Sequence, residues 1–351
     1  VAERELPVVT VIMPVRNEAV YIRLAVESVV NQDYPSHLLN ILVFDGRSTD
    51  ATRTIVSYLV RSYGSRITLL DNPQRTVPFA MNRGLEVTTG EVIIRLDGHC
   101  SLPPNYVSTC VQRLLSGDAD AVGGRVVAEG EGILPQTIAW AMSSRFGVGA
   151  SYFRVGVEER FVNTVAFAAH WKEQLQGVGR FFEYLRRNSD DEFNFRFREA
   201  GYSILMIPRL SIIYWSRASL LHLAKQFLQY GFYKLPVLLR HPKYVSARHL
   251  LPAVFIALGI AVVILLIFAP FWGLLLLIPY ILYLAGLFAY SLLSRFARSF
   301  KHRLLFPVVV LAMHVSYGLG FFWSVICLPF SIREIKRMLF AGIGKLKKDK
   351  K

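Results

Sequence analysis

The sequence predicts an α/β protein, a mostly parallel sheet covered by helices, followed by a transmembrane α-helical region. Three observations lead there. Between residues 8 and 128, short β-rich apolar runs alternate with helical patterns, the rhythm of strands joined by crossover helices. Beyond residue 250 come long stretches without Asp, Glu, Lys or Arg, and hydrophobic residues make up 53% of the 351, above the level of purely soluble domains. Charge divides unevenly as well. Residues 1–216 balance at −1, whereas residues 217–351 hold 18 basic and 2 acidic side chains, so the net +15 lies beside the apolar stretches.

In order, strands are expected at 8–15, 39–44, 66–70, 91–96 and 121–128, with helices at 19–30, 51–62, 80–87 and 106–115. Chemistry in such sheets gathers at the carboxyl ends of strands. Asn17, Asp45, Asp97 and His99 all fall just past predicted strands, so one cleft can collect them. At 219–235, Leu220, Leu223, Ala224, Phe227 and Leu228 recur at helical spacing with His222, Lys225, Gln226 and Gln229 opposite. A helix packed on the soluble domain shows that stripe too, but its place ahead of a spanning segment favours a helix lying in the membrane interface.

The stretches 250–268, 273–293 and 304–328 reach the length at which a spanning helix is the default reading. The expected organisation is therefore a cytoplasmic α/β domain at 1–216, an interface helix and linker at 217–249, spans at 250–328 and a basic tail at 329–351, in a multi-pass protein of the cell (inner) membrane. The basic loop 295–303 belongs inside by the positive-inside rule, yet a third complete crossing leaves the basic tail outside. Either the third segment is re-entrant, helped by Pro307, His314, Gly318 and Gly320, or the tail breaks the rule. The basic excess suits anionic lipid headgroups, and the −1 balance of the first domain excludes a nucleic-acid reader. Cys100, Cys110 and Cys327 fit no metal spacing and are expected as reduced thiols. Acids at the N-terminus, and Pro14 and Arg16 in its apolar run, argue against a targeting leader there.

Four motifs carry candidate chemistry. In VIMPVRNEA a strand meets a turn where Asn17 suits a helix cap and Glu18 a first turn, or where a nucleotide could bind. VFDGRSTDAT puts Asp45 directly after a buried strand, a position without an evident structural duty and suited to accept a nucleobase N–H, while Asp50 suits a cap. RLDGHC alternates Asp97 and His99 about Gly98; the pair is either an ordinary turn or a partial site for Mg²⁺ or Mn²⁺ completed by a substrate diphosphate. RRNSDDEFNFRFREAGY gathers Asp190, Asp191 and Glu192 at a helix start, either complementing the helix dipole or crowding a carboxylate into a general base.

Taken in this order, VIMPVRNE, VFDGRSTDATR, FAMNRGLEVTTGEVIIRLDGHC, VNTVAFAAHWKE and NSDDEFNFRFREAGY resemble the family 2 inverting glycosyltransferases, especially membrane-anchored members that build exopolysaccharides of the succinoglycan type. The resemblance implies a GT-A fold, the Rossmann-like sheet of nucleotide-diphospho-sugar transferases. It implies that Pro14, Arg16 and Glu18 flank the nucleoside, that Asp45 recognises the base, and that Asn82 and Arg83 line the donor's sugar and phosphates. It puts Asp97 and His99 on the divalent metal (Mn²⁺ or Mg²⁺), and makes Asp190, with Asp191 as its alternative, the base that deprotonates the acceptor hydroxyl. The partners so implied are a nucleotide-sugar donor, most simply UDP-linked, a polyprenyl-linked saccharide acceptor and membrane lipids. A polyprenyl-phosphate hexosyltransferase is the nearest alternative, and a silent nucleotide-sugar-binding scaffold the next. His99 replaces a second metal aspartate, Ser189 a common Glu and Ala168 a common Gly. QFLQY, with Gln226, Gln229 and Tyr230, stands where processive members carry QxxRW, which argues for single additions.

Overall fold

Every residue of β1 (Val9–Val15) is buried, which requires neighbours on both edges and cover on both faces. The computed structural model describes residues 5–216, 219–294, 296–297 and 299–328; the basic tail 329–351, and Arg295 and Arg298 of the basic loop, lie outside the described residues. β1 pairs in parallel with β2 (Leu39–Asp45) and with β4 (Val92–Arg95), and β2 in parallel with β3 (Ile67–Asp71). The intervening helices are α1 (Ile22–Val30), α2 (Thr52–Tyr63) and α3 (Val77–Val87), with α4 (Tyr106–Leu115) following the short β5 (Cys100–Ser101). α3 starts three residues before the predicted helix because Thr76 caps it, accepting from the Phe79 N–H, and Pro78 suits its first turn.

The other half of the sheet is antiparallel, so the sheet is mixed where a mostly parallel one was expected. Beyond β4 the order runs β8 (Ala169–Trp171), β6 (Ala121–Glu129), β9 (Ile204–Trp215) and β5, with β7 (Arg160–Phe161) on β9. β5, β7 and β8 are two or three residues long, too short to show a period in sequence. Pro208 and Arg209 interrupt the apolar run of β9. α8 (Lys172–Val178) and α9 (Ser189–Glu199) cover this half, and Phe193 and Phe197 of α9 join Ile12, Phe44, Met81 and Ile93 in one core.

A second compact unit joins residues 128–151 to residues from 216 onward, although 128–151 falls inside the predicted first domain. The cause is α5 (Ile133–Met142), which carries no charge. Its Trp140 ring lies 3.9 Å from that of Phe306, and Ser216 N–H donates to Glu129 O at 2.7 Å. The short α6 (Arg145–Val148) also belongs here, and α7 (Tyr152–Val155) opens the return into the first unit.

α11 (Ala247–Phe268), α12 (Pro270–Leu293) and α13 (Phe300–Cys327) hold 22, 24 and 28 residues. At about 1.5 Å per residue, each exceeds the roughly 30 Å of a bilayer's hydrocarbon. Among the described residues, three helices are thus long and apolar enough to cross a membrane. α11 and α12 expose Leu, Ile and Phe around most of their surface, which suits lipid contact rather than water. α13 runs without the break that a re-entrant segment needs. Gly318 and Gly320 serve packing instead. A Cβ on Gly320 would lie 2.0 Å from Leu228 O, and one on Gly231 2.0 Å from Tyr317 O, so paired glycines let α10 (Leu220–Arg240) and α13 touch backbone to backbone.

That contact rotates α10 relative to the expected stripe. Leu223 is buried as foreseen, but Gln226, placed on the polar side by sequence, is only 3% exposed, whereas Leu228 is exposed. α10 is therefore a helix of the second unit packed on α13.

Candidate active site

Strand register brings Val15, Asp45 and Asp71 side by side at the carboxyl edge. Asp45 is 1% exposed and does have a structural duty: it accepts from Ser48 N–H and from Arg53 Nη1 at 3.2 Å, and Arg53 Nη1 reaches Asp71 Oδ1 at 2.6 Å. Asp71 and Asp45 together hold Arg53 protonated above its ordinary range. A carboxylate offers about four lone-pair positions, so Asp45 keeps acceptor capacity beyond these two donors. Asn17 is not a helix cap. Its backbone is left-handed (φ 56°), and its Oδ1 accepts from Thr49 N–H at 2.8 Å while Asp50 accepts from the N–H groups of Ala19 and Thr52, so the loops after β1 and β2 are knitted together. Pro14 is buried opposite Phe44, and exposed Arg16 lies against Gly46.

At the end of β4, Arg95 donates to Asp97 through Nε (3.0 Å) and through Nη2 to both carboxylate oxygens (2.8 and 3.0 Å). Burial raises the Asp97 carboxyl, but Arg95 and His99 outweigh it and hold the group below the usual aspartate range. His99 turns to Glu18, with Nδ1 and Oε1 2.9 Å apart. A proton on Nδ1 leaves the Nε2 lone pair for a cation, the carboxylate–imidazole arrangement common behind metal-binding histidines. Gly98 sits tightly between them, since a Cβ there would meet Glu18 and Val15 side chains at 3.0 Å. Among the described residues no three His, Cys, Asp or Glu converge as a cage. One carboxylate and one imidazole nonetheless fit an ion whose remaining ligands come from a diphosphate and water.

The helix turn of α9 sends its three acids three ways. Asp190 lines a cavity of about 40 Å³ with Arg95, Ala168, His170, Phe193 and Asn194. Asp191 accepts from the Thr164 hydroxyl at 2.7 Å, and Thr164 in turn accepts from Asn194. Glu192 is fully buried and bidentate with Arg196, both bonds 2.8 Å. Arg196 then donates to Val178 O and Arg180 O, fixing the loop before α9. The negative fields of Asp97 and Asp190 keep Arg95 protonated against its burial, so one guanidinium serves both motifs.

Asn82 and Arg83 face other partners. Asn82 is buried and clamps the loop between α8 and α9, donating to Phe181 O and Glu183 Oε1 and accepting from Phe181 N–H. Arg83 pairs with Glu86, which also holds Arg180. In α10, Gln226 Nε2 donates to the Tyr230 hydroxyl at 2.8 Å, and Gln229 is half-buried beside them.

Residues 10–192 match the family described as Glycosyl transferase family 2. The chain belongs to this family. As a family 2 glycosyltransferase it is similar to the succinoglycan biosynthesis protein ExoA of Rhizobium meliloti (strain 1021), 27% identical over 89% of this chain and 93% of that protein. It is also similar to the dolichyl N-acetyl-alpha-D-glucosaminyl phosphate 3-beta-D-2,3-diacetamido-2,3-dideoxy-beta-D-glucuronosyltransferase of Methanococcus voltae, 26% identical over 64% of this chain and 71% of that one. Among solved structures, mannosyltransferase PcManGT from Pyrobaculum calidifontis, in complex with GDP-Man and Mn²⁺, matches with a TM-score of 0.52 at 19% identity over 96% of this chain and 88% of that one, a likeness of fold. The fold is thus the GT-A mixed sheet followed by long apolar helices.

This glycosyltransferase holds functional groups that sequence patterns left out. Arg53 and Arg95 lie within quoted motifs, but only the fold shows that each meets an acid there. His170 is a buried imidazole whose Nδ1 lies 3.1 Å from Ala168 O and whose Nε2 has no partner among the described residues. Burial drives it down to about 4, so it is neutral at physiological pH.

Proposed function

We propose that this glycosyltransferase moves a hexose from a nucleotide sugar to a hydroxyl of a lipid-linked saccharide, with inversion and one sugar per encounter, in cell-surface polysaccharide assembly. One observation carries the reading. Asp190 shares its cavity with Arg95, whose guanidinium holds Asp97, so a base and a diphosphate-side group are joined through a single residue.

Asp190 removes the acceptor proton as that oxygen attacks the anomeric carbon, and the bond from this carbon to the diphosphate breaks on the opposite face. Holding both partners in line supplies much of the rate. Asp97 and His99, the latter oriented by Glu18, would hold a divalent cation, Mn²⁺ or Mg²⁺, which when bound stabilises the departing diphosphate as a Lewis acid. Pro14 and Arg16 flank the nucleoside, and Asp45, its carboxylate fixed by Arg53, accepts the base N–H. Asn82 and Arg83 shape the donor side indirectly through the 180–183 loop. The departure of Gln226, Gln229 and Tyr230 from QxxRW, with Gln226 committed to Tyr230, supports single additions.

The spanning helices keep the first domain, residues 1–216, on the cytoplasmic side of the inner membrane, where lipid-linked acceptors present their hydroxyls. The names of the similar proteins, one in succinoglycan biosynthesis and one acting on a dolichyl phosphate-linked sugar, support the acceptor class. UDP is the donor nucleotide proposed, with GDP as the competitor in view of the GDP-mannose complex of the structural neighbour. The test is a panel of UDP- and GDP-sugars with Mn²⁺, Mg²⁺ or chelator, offered polyprenyl phosphate, polyprenyl-diphosphate saccharide and free saccharide. Cation-dependent transfer to the lipid-linked saccharide is expected. Transfer to bare polyprenyl phosphate alone overturns the acceptor, and chelator-resistant transfer overturns the cation.

A further inference from the structure

In the candidate motifs Arg53, Arg95 and Arg196 each meet a carboxylate. Arg154, in α7, does not. It makes no hydrogen bond or ion pair among the described residues, and its Nη1 is buried without a partner. Two rings hold it, Phe153 and Tyr214, each with its centroid 5.5 Å from the guanidinium carbon. Contacts of this kind contribute roughly 0.5–2 kcal/mol, and they offer the buried Nη1 no hydrogen-bond acceptor. The side chain is therefore placed to receive an anion.

Its position says which. Tyr214, under the guanidinium, meets the His99 ring edge-on at 4.9 Å and pairs across the sheet with Cys100. Burial raises the Cys100 thiol most, and the charges that act on it next are Asp97, Arg95, Glu18 and Arg154, which places Arg154 in the neighbourhood of the Asp97–His99 turn. A planar fork beside a diphosphate-binding turn matches phosphate oxygens in pairs.

We propose that Arg154 is a phosphate-binding residue of the active site, taking oxygens of a diphosphate. The diphosphate is that of the nucleotide-sugar donor or of the lipid-linked acceptor, and the chemistry is the same for both. The inference rests on the glycosyltransferase reading above.

The experiment uses the full chain in detergent and the variants Arg154→Met, which keeps the packed stem, and Arg154→Lys, which keeps the charge but not the fork. Calorimetry with inorganic pyrophosphate and Mn²⁺ should show affinity falling about tenfold or more in Arg154→Met, with partial recovery in Arg154→Lys. Steady-state kinetics then separate the sources. A rise confined to the donor KM assigns the donor diphosphate, and a rise confined to the KM of polyprenyl-diphosphate saccharide, absent with free saccharide, assigns the acceptor. Pyrophosphate affinity and both KM values unchanged in a folded Arg154→Met protein would overturn the proposal. If no donor supports turnover in the parent, the calorimetric arm still decides on Arg154 while the transfer reading alone fails.

Discussion

At the sheet edge, Asp45 and Asp97 are 52 positions apart in sequence, lie after different strands, and each is fixed by an arginine of its own motif. At the start of α9 the reverse holds. Asp190, Asp191 and Glu192 are consecutive, yet a helix advances about 100° per residue, and they reach a cavity, a threonine and a partly buried arginine respectively. Sequence adjacency made the second trio look like one crowded acid cluster. The structure separates it into one group that lines a cavity and two that hold the surrounding loops.

The largest effect that sharpens this contrast is expected at the two aspartates. Asp190→Asn should reduce single-turnover transfer by roughly 10²- to 10⁴-fold, the range for a lost general base. Asp191→Asn should retain most activity, because the Thr164 hydroxyl can still donate to the amide oxygen. Equal losses in the two variants would return them to one cluster.

The third acid is expected to act on stability. Arg196→Met removes the bidentate ion pair of the buried Glu192 and should cost about 3–5 kcal/mol, read as a lower denaturation midpoint in detergent. Restoring neutrality with Glu192→Gln in the same chain should recover part of it. Beneath the same cavity, His170 supplies a pH dependence. Its folded value near 4 lies below the unfolded 6.5, so between those values the unfolded chain binds more protons and stability rises with pH. The contribution is about 3 kcal/mol across that window, fully lost below it. His170→Leu should flatten the midpoint-against-pH curve there; an unchanged slope would show that another group titrates.

A smaller effect is expected where the sheet-edge pair is oriented. Glu18→Gln should weaken Mn²⁺ binding by roughly 10- to 100-fold, the usual cost of losing a carboxylate behind a metal-binding imidazole. Electron paramagnetic resonance of free Mn²⁺ measures this independently of turnover.

The legible part of this chain was its long, periodic or uniform segments. Runs such as TVIMPV and EVIIR announced β1 and β4, and the three uncharged stretches announced α11, α12 and α13. The antiparallel half was hidden because β5, β7 and β8 are too short for a period and β9 carries Pro208. α5 was lost for a different reason. Its apolar residues fit either unit, and contacts in the fold such as Trp140–Phe306 and Ser216–Glu129 decide between them. Of the candidate site, turn chemistry made Asp45, Asp97 and His99 visible as strand-end residues. Their partners were not visible, since Arg53, Arg95 and Glu18 acquire their roles from the direction each side chain takes in the fold. Gln226 shows the same limit, for a polar side chain on a helix reads as exposed until its neighbour is known.

Donor binding at the sheet edge and proton removal at α9 are separate functions in this account, and the donor affinity of Asp190→Asn tests that most directly. Titrated calorimetrically with nucleotide sugar and Mn²⁺, the variant should bind the donor as the parent does while failing to transfer it. Loss of donor affinity in step with turnover would contradict the account.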